Sequence, residues 1–199
     1  MGKRITKALL IMFVVLLSFR PCPVRAETYG YRRPQFVQAV RAGKLKVKHC
    51  KVGKTVLYYD TAISTKRVNA VKQWIKKLPS KVQSKAKRVY ILRKKYYLMT
   101  LTDKYRNSLG YALCDSREIY VMYLKDSEDM RLTLWHEFGH CYDWKKGGFR
   151  LSTTKTWRKI IGISDKAEAR EQFAWTFADF FDFISEPEFD YIYKALKGG

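Results

Sequence analysis

Two of the chain's three histidines stand four residues apart, in the run Trp135-His136-Glu137-Phe138-Gly139-His140-Cys141-Tyr142. That spacing constrains the segment more tightly than any bulk property. Residues four apart share one face of a helix, so on a helix both imidazoles reach a single metal ion. Glu137 then falls one step round the helix, close enough to act on a water at that ion. The neighbouring residues suit a helix. Ser127 offers a cap, Glu128 and Asp129 put negative charge in the first turn, and Gly147-Gly148 mark the expected end.

A hydrolytic zinc takes three protein ligands and leaves one position open. His136 and His140 supply two. No histidine follows the motif, which excludes the longer H-E-x-x-H-x-x-G-x-x-H pattern. The candidates for the third ligand are His49, a cysteine or a downstream carboxylate. The segment Glu168–Ala178 favours a carboxylate. Glu171, Ala174, Trp175 and Ala178 share a helix face, and a carboxylate on an apolar stripe is costly unless it is paired or binds a metal. Glu168 is accounted for by capping-box spacing from Asp165. Glu171 is therefore the expected third ligand, and a buried salt bridge is the alternative. Asp143, three residues past His140, is read either as orienting a ligand imidazole or as a solvated helix-end carboxylate. Cys141 points off the ligand face and is assigned to packing or a disulfide. His49-Cys50 is read as structural.

The rest of the chain alternates between strand and helix signals. Residues 34–43 predict a short helix ended by Gly43. Leu45 to Tyr59 predict a strand or hairpin punctuated by Gly53. Val68, Val71, Trp74, Ile75 and Leu78 form one stripe of an amphipathic helix over 62–78, closed by Pro79. Val89–Leu92 and Tyr97–Leu101 read as strands around Arg93-Lys94-Lys95. Gly110–Cys114 and Glu118–Tyr123 read as a second hairpin around Asp115-Ser116-Arg117. A helix is expected from near Asp165 through Phe180-Phe181, and Pro187 opens a last short one. Strands precede helices, which predicts an α+β fold: a small mixed sheet, an active-site helix and a C-terminal helical part.

The first 26 residues read as a signal peptide. Lys3, Arg4 and Lys7 precede an apolar run, Ala8 to Phe19, too short to span a bilayer comfortably; Val24-Arg25-Ala26 predicts cleavage after Ala26. An uncleaved anchor is the alternative. A single domain over 27–199 follows, with 27–52 as its N-terminal segment, and a secreted protein is expected. Cys22 leaves with the signal. Cys50, Cys114 and Cys141 remain, so at most one internal disulfide forms, and the sequence does not choose the pair. The formal net charge of +22 favours anionic surfaces such as a cell envelope; a solvated Lys-rich surface explains it equally well. The basic residues are spread along the chain and no nucleic-acid-binding motif accompanies them, so no dedicated nucleic-acid role is expected.

His136-Glu137-Phe138-Gly139-His140 with Asp143, followed by Glu171-Gln172-Phe173-Ala174 on a Phe-rich helix, resembles the catalytic domain of anthrax lethal factor and its relatives, among them the secreted Pro-Pro endopeptidases. The likeness covers about residues 109–181. It implies a zincin fold of the gluzincin type, with His136, His140 and Glu171 as zinc ligands and Glu137 as general base. The expected activity is that of a secreted zinc metalloendopeptidase, hydrolysing peptide bonds with a zinc-activated water, as a monomer acting on a protein or peptide. One position departs from the family, which places an oxyanion-stabilising tyrosine seven residues before the ligand Glu. Ser164 stands there, and Tyr111, Tyr120, Tyr123 and Tyr142 are the candidate substitutes. That departure motivates a second expectation, an inactive zinc-binding relative that adheres through its basic surface.

Overall fold

A hairpin turning at Gly53 starts the sheet. In the computed structural model, which describes residues 33–101, 107–146, 148–181 and 187–197, β1 (Val47–Val52) and β2 (Thr55–Asp60) pair antiparallel. β3 (Arg88–Leu92) runs parallel to β2, and β5 (Glu118–Met122) parallel to β3. β4 (Gly110–Leu113) pairs antiparallel with β5, which gives the order β1-β2-β3-β5-β4. The fold is thus α+β around a five-stranded mixed sheet. The described residues all fall within one compact unit, Tyr31–Gly199. The signal-peptide reading of 1–26 lies outside them. No helix among them is long and apolar enough to cross a membrane.

Period-two alternation separates the two faces of the sheet. Leu57, Val89, Ile91, Ile119 and Val121 point to one side and are fully buried. They pack against Val68, Val71 and Ile75 of α2 (Thr65–Lys77) and against Leu134 and Phe138 of α5 (Ser127–Asp143). α2 is capped by Ser64, whose side chain accepts from the Arg67 amide, and ends before Pro79 and the short α3 (Ser80–Gln83).

The other face carries one ring from every strand. His49, Tyr58, Tyr90, Tyr120 and Tyr111 stand in register, with successive ring centroids 5.5, 4.8, 4.5 and 4.8 Å apart. Each such pair adds about 0.5–1.5 kcal/mol beyond the area it buries, so the row helps hold all five strands in register. α1 (Arg33–Arg41) lies over the row, with Phe36 edge-on to Tyr90.

The second strand expected over Tyr97–Leu101 is instead helical. α4 (Lys94–Tyr97) runs into a 3-10 turn, Leu98–Thr100. Tyr96, Tyr97, Thr100 and Leu101 are the buried positions, a helical spacing rather than an alternating one. The Thr100 hydroxyl closes the turn on the Tyr97 carbonyl at 2.6 Å. After α5 come a two-residue ribbon, β6 (Trp144–Lys145) with β7 (Gly148–Phe149), then α6 (Lys155–Ile161), α7 (Lys166–Phe180) and α8 (Pro187–Lys197). α5 therefore ends at Asp143, before the glycines expected to stop it.

Candidate metal centre

α5 and α7 build the site between them. Asp126 caps α5, accepting from the amides of Glu128 and Asp129, one residue before the Ser127 expected in that role. Asp165 caps α7 in the same way, through the amides of Ala167 and Glu168. The two helices meet at Gly139. A Cβ there would lie 3.1 Å from Phe177 Cβ and 3.2 Å from Ala174 Cα, closer than side chains normally tolerate. Gly139 and Ala174 thus let the backbones approach, and Glu171, one turn earlier on α7, is carried up to the imidazoles of α5.

Three ligand-type atoms converge there. His136 Nε2 and His140 Nε2 are 3.0 Å apart, and Glu171 Oε2 is 3.3 Å from the first and 3.5 Å from the second. Among the described residues this is the one group of three such side chains with ligand atoms within 4.8 Å of one another. A tetrahedral zinc with bonds of about 2.0–2.1 Å needs its ligand atoms about 3.3 Å apart. The trio fits that requirement in spacing and in its nitrogen and oxygen donors.

The electrostatics suit a cation. Hydrogen bonds from His136 and His140 hold the Glu171 carboxyl well below its ordinary range, so it carries its charge. Burial pushes the His136 imidazole down, which favours the neutral form that binds metal. Burial also lowers His140, but its bond to Glu171 and the charges of Glu137 and Glu171 outweigh this and raise it. Burial lifts Glu137 to about 7, the Glu171 charge adding to the rise and His140 opposing it. A carboxyl near neutrality beside a metal cradle has the proton affinity a general base needs.

Exposure separates the parts. His136 and Glu137 are buried, whereas the Glu171 side chain is 59% exposed. A carboxylate on an apolar helix stripe needs a partner, which is the ground for expecting Glu171 as a ligand. The structure places it at the margin of that stripe, so solvent access, not burial, surrounds it. Trp175 shares the margin: it is 45% exposed, and its ring lies 4.3 Å from that of His136. Phe149 stands 6.2 Å from the His140 ring, with the Arg170 guanidinium 4.7 Å over its face. Nothing in the local sequence pattern of Phe149 or Arg170 points to a place at the site.

Asp143 does not orient an imidazole, nor is it solvated. It is buried, and its carboxylate accepts from the amides of Arg150, Leu151 and Ser152 and from the Ser152 hydroxyl, fastening the segment that follows β7. His136 Nδ1 is buried without a hydrogen-bond partner among the described residues. Ser164 lies in the exposed turn between α6 and α7, its carbonyl accepting from Arg158. Tyr142 donates its hydroxyl to the Ala195 carbonyl and Tyr120 donates to Glu118, so both are committed elsewhere.

Gly110, which has no local sequence signal beyond its place in a hairpin, also lies at the site. A Cβ there would meet Thr133 Cγ2 at 2.8 Å and Glu137 Oε1 at 2.9 Å. Only glycine lets the start of β4 lie against the Glu137 carboxylate. Gly110→Ala is expected to cost about 1–3 kcal/mol of stability, as overpacking does, and to displace Glu137. Denaturant unfolding measures this, and an unchanged midpoint contradicts the close approach.

No protein-family model matches the chain, and neither a curated protein nor a solved structure matches it.

Proposed function

We propose that the chain is a zinc-dependent endopeptidase of the zincin type, with His136, His140 and Glu171 as ligands and Glu137 as general base. The observation that carries this reading is the convergence of His136 Nε2, His140 Nε2 and Glu171 Oε2 within 3.5 Å, beside a buried carboxyl lifted to about 7. When bound, zinc supplies Lewis acidity that polarises a carbonyl and lowers the pKa of water. Glu137 Oε takes a proton from the attacking water and returns it to the leaving amine. Glu171, open to solvent, leaves that side of the site accessible to a polypeptide. Trp175 and Phe149 offer apolar walls on either side. The leader-like Ala8–Phe19 run supports export, and the charge of +22 supports retention near an anionic envelope.

An extended substrate has one edge available near the site. Of the two strands that precede α5, β5 is interior to the sheet, while β4 is an edge strand whose first residue touches Glu137. A peptide lying along β4 bonds through alternate backbone amides. N-methylating a cleaved peptide one position at a time is expected to lower kcat/KM by about tenfold or more at alternate positions only. An effect with no period of two contradicts the docking.

The whole reading is tested by exposing the full chain to a diverse peptide library before chelation, after chelation and after zinc is restored. Cleavage that is lost and then recovered supports it. Cleavage indifferent to chelation overturns it. The exposed position of Ser164 favours a second reading, a zinc-binding adhesion protein without catalysis, and that reading predicts bound zinc with no cleavage of any peptide.

A further inference from the structure

The sheet order decides which cysteines meet. β1, with Cys50, and β4, which leads into Cys114, are the opposite edges of the five-stranded sheet. Four strand spacings of about 4.8 Å separate them, roughly 19 Å, whereas a disulfide requires Cα atoms about 4.4–6.8 Å apart. Cys50 therefore has no partner in Cys114.

Cys141 does. It is buried on α5, in the hydrophobic cluster against which Cys114 packs. Contacts on both sides hold the two segments together. Upstream, Gly110 lies against Thr133 and Glu137. Downstream, the Trp144 indole donates to the Asp115 carboxylate at 3.1 Å. Both thiols are free, Cys114 half-buried and Cys141 almost fully so.

We propose that Cys114 and Cys141 form a disulfide that fastens the β4–β5 hairpin to the metal-binding helix. The cross-link needs an oxidant of the disulfide class, such as oxidised glutathione. The half-exposed Cys114 sulfur is the one it reaches, forming a mixed disulfide and releasing one thiol. Cys141 sulfur then attacks Cys114 sulfur and expels the second thiol. Two S–H bonds are lost, one S–S bond forms, and the two electrons and two protons leave with the oxidant's two thiols. The bridge also removes two sulfur donors from the vicinity of His140, leaving nitrogen and oxygen for a metal. It holds whether or not the site is catalytic.

The test is to oxidise the full chain with a glutathione redox pair, block remaining thiols with N-ethylmaleimide and map peptides without reduction. The expected result is a peptide joining Cys114 to Cys141, present also in Cys50→Ser. Closing a loop of this length also raises Tm by about 10 °C over the reduced protein, a shift lost in Cys114→Ser. Maleimide on both Cys114 and Cys141 after oxidation, or a bridge from either one to Cys50 or Cys22, overturns the proposal.

Discussion

Glu137→Gln is expected to leave zinc bound while lowering kcat by about 10²–10⁴-fold, the contribution of a positioned general base. The amide keeps the shape that Gly110 accommodates, so packing changes little. The side chain is buried and its carboxyl sits near 7. The substitution therefore removes a proton acceptor without stranding a charge. The ligands are untouched, so zinc content and cleavage should separate, with metal measured by emission spectroscopy beside peptide turnover. Equal turnover in the two proteins would show that Glu137 moves no proton in the rate-limiting step.

Glu171→Ala should do the reverse and remove the metal. Losing a group that merely orients a zinc ligand costs about 10–100-fold in affinity, so losing a ligand should cost more than about 100-fold. The fold should survive, because the Glu171 side chain is 59% exposed and no helix cap depends on it. Competition with a chromophoric chelator reads the affinity, and circular dichroism of the metal-free protein reads the fold. Parental affinity in the variant would mean that the third donor lies elsewhere. A lost fold would mean that the carboxylate is structural.

Local chemistry made much of the fold legible. Gly53 marked the first hairpin, Asp115-Ser116-Arg117 the second, and Asp165 the start of α7. The His136–His140 spacing implied a helix, and one is present. The Tyr97–Leu101 segment reads as a strand because tyrosine and threonine favour strands, while tertiary burial of both Tyr96 and Tyr97 selects a helix. α6 left no apolar stripe long enough to announce it. The strand order was hidden because the parallel pairs β2–β3 and β3–β5 are long-range, and period-two alternation carries no information about neighbours. The edge strand and the cysteine pairing depend on that order, so they waited on it too. Glu171 lies close to His136 and His140, but its side chain is exposed, so burial on an apolar stripe is not what sets it apart. Asp143 has the spacing of a ligand-face residue, yet three backbone amides beyond β7 claim its carboxylate, a tertiary fact with no local signature.

X-ray absorption at the zinc edge, on the full chain loaded to saturation, tests the centre most directly. One zinc per chain with a first shell of nitrogen and oxygen, lost in Glu171→Ala, is the predicted result. Sulfur in that shell, or binding well below one equivalent, would contradict a centre made of His136, His140 and Glu171.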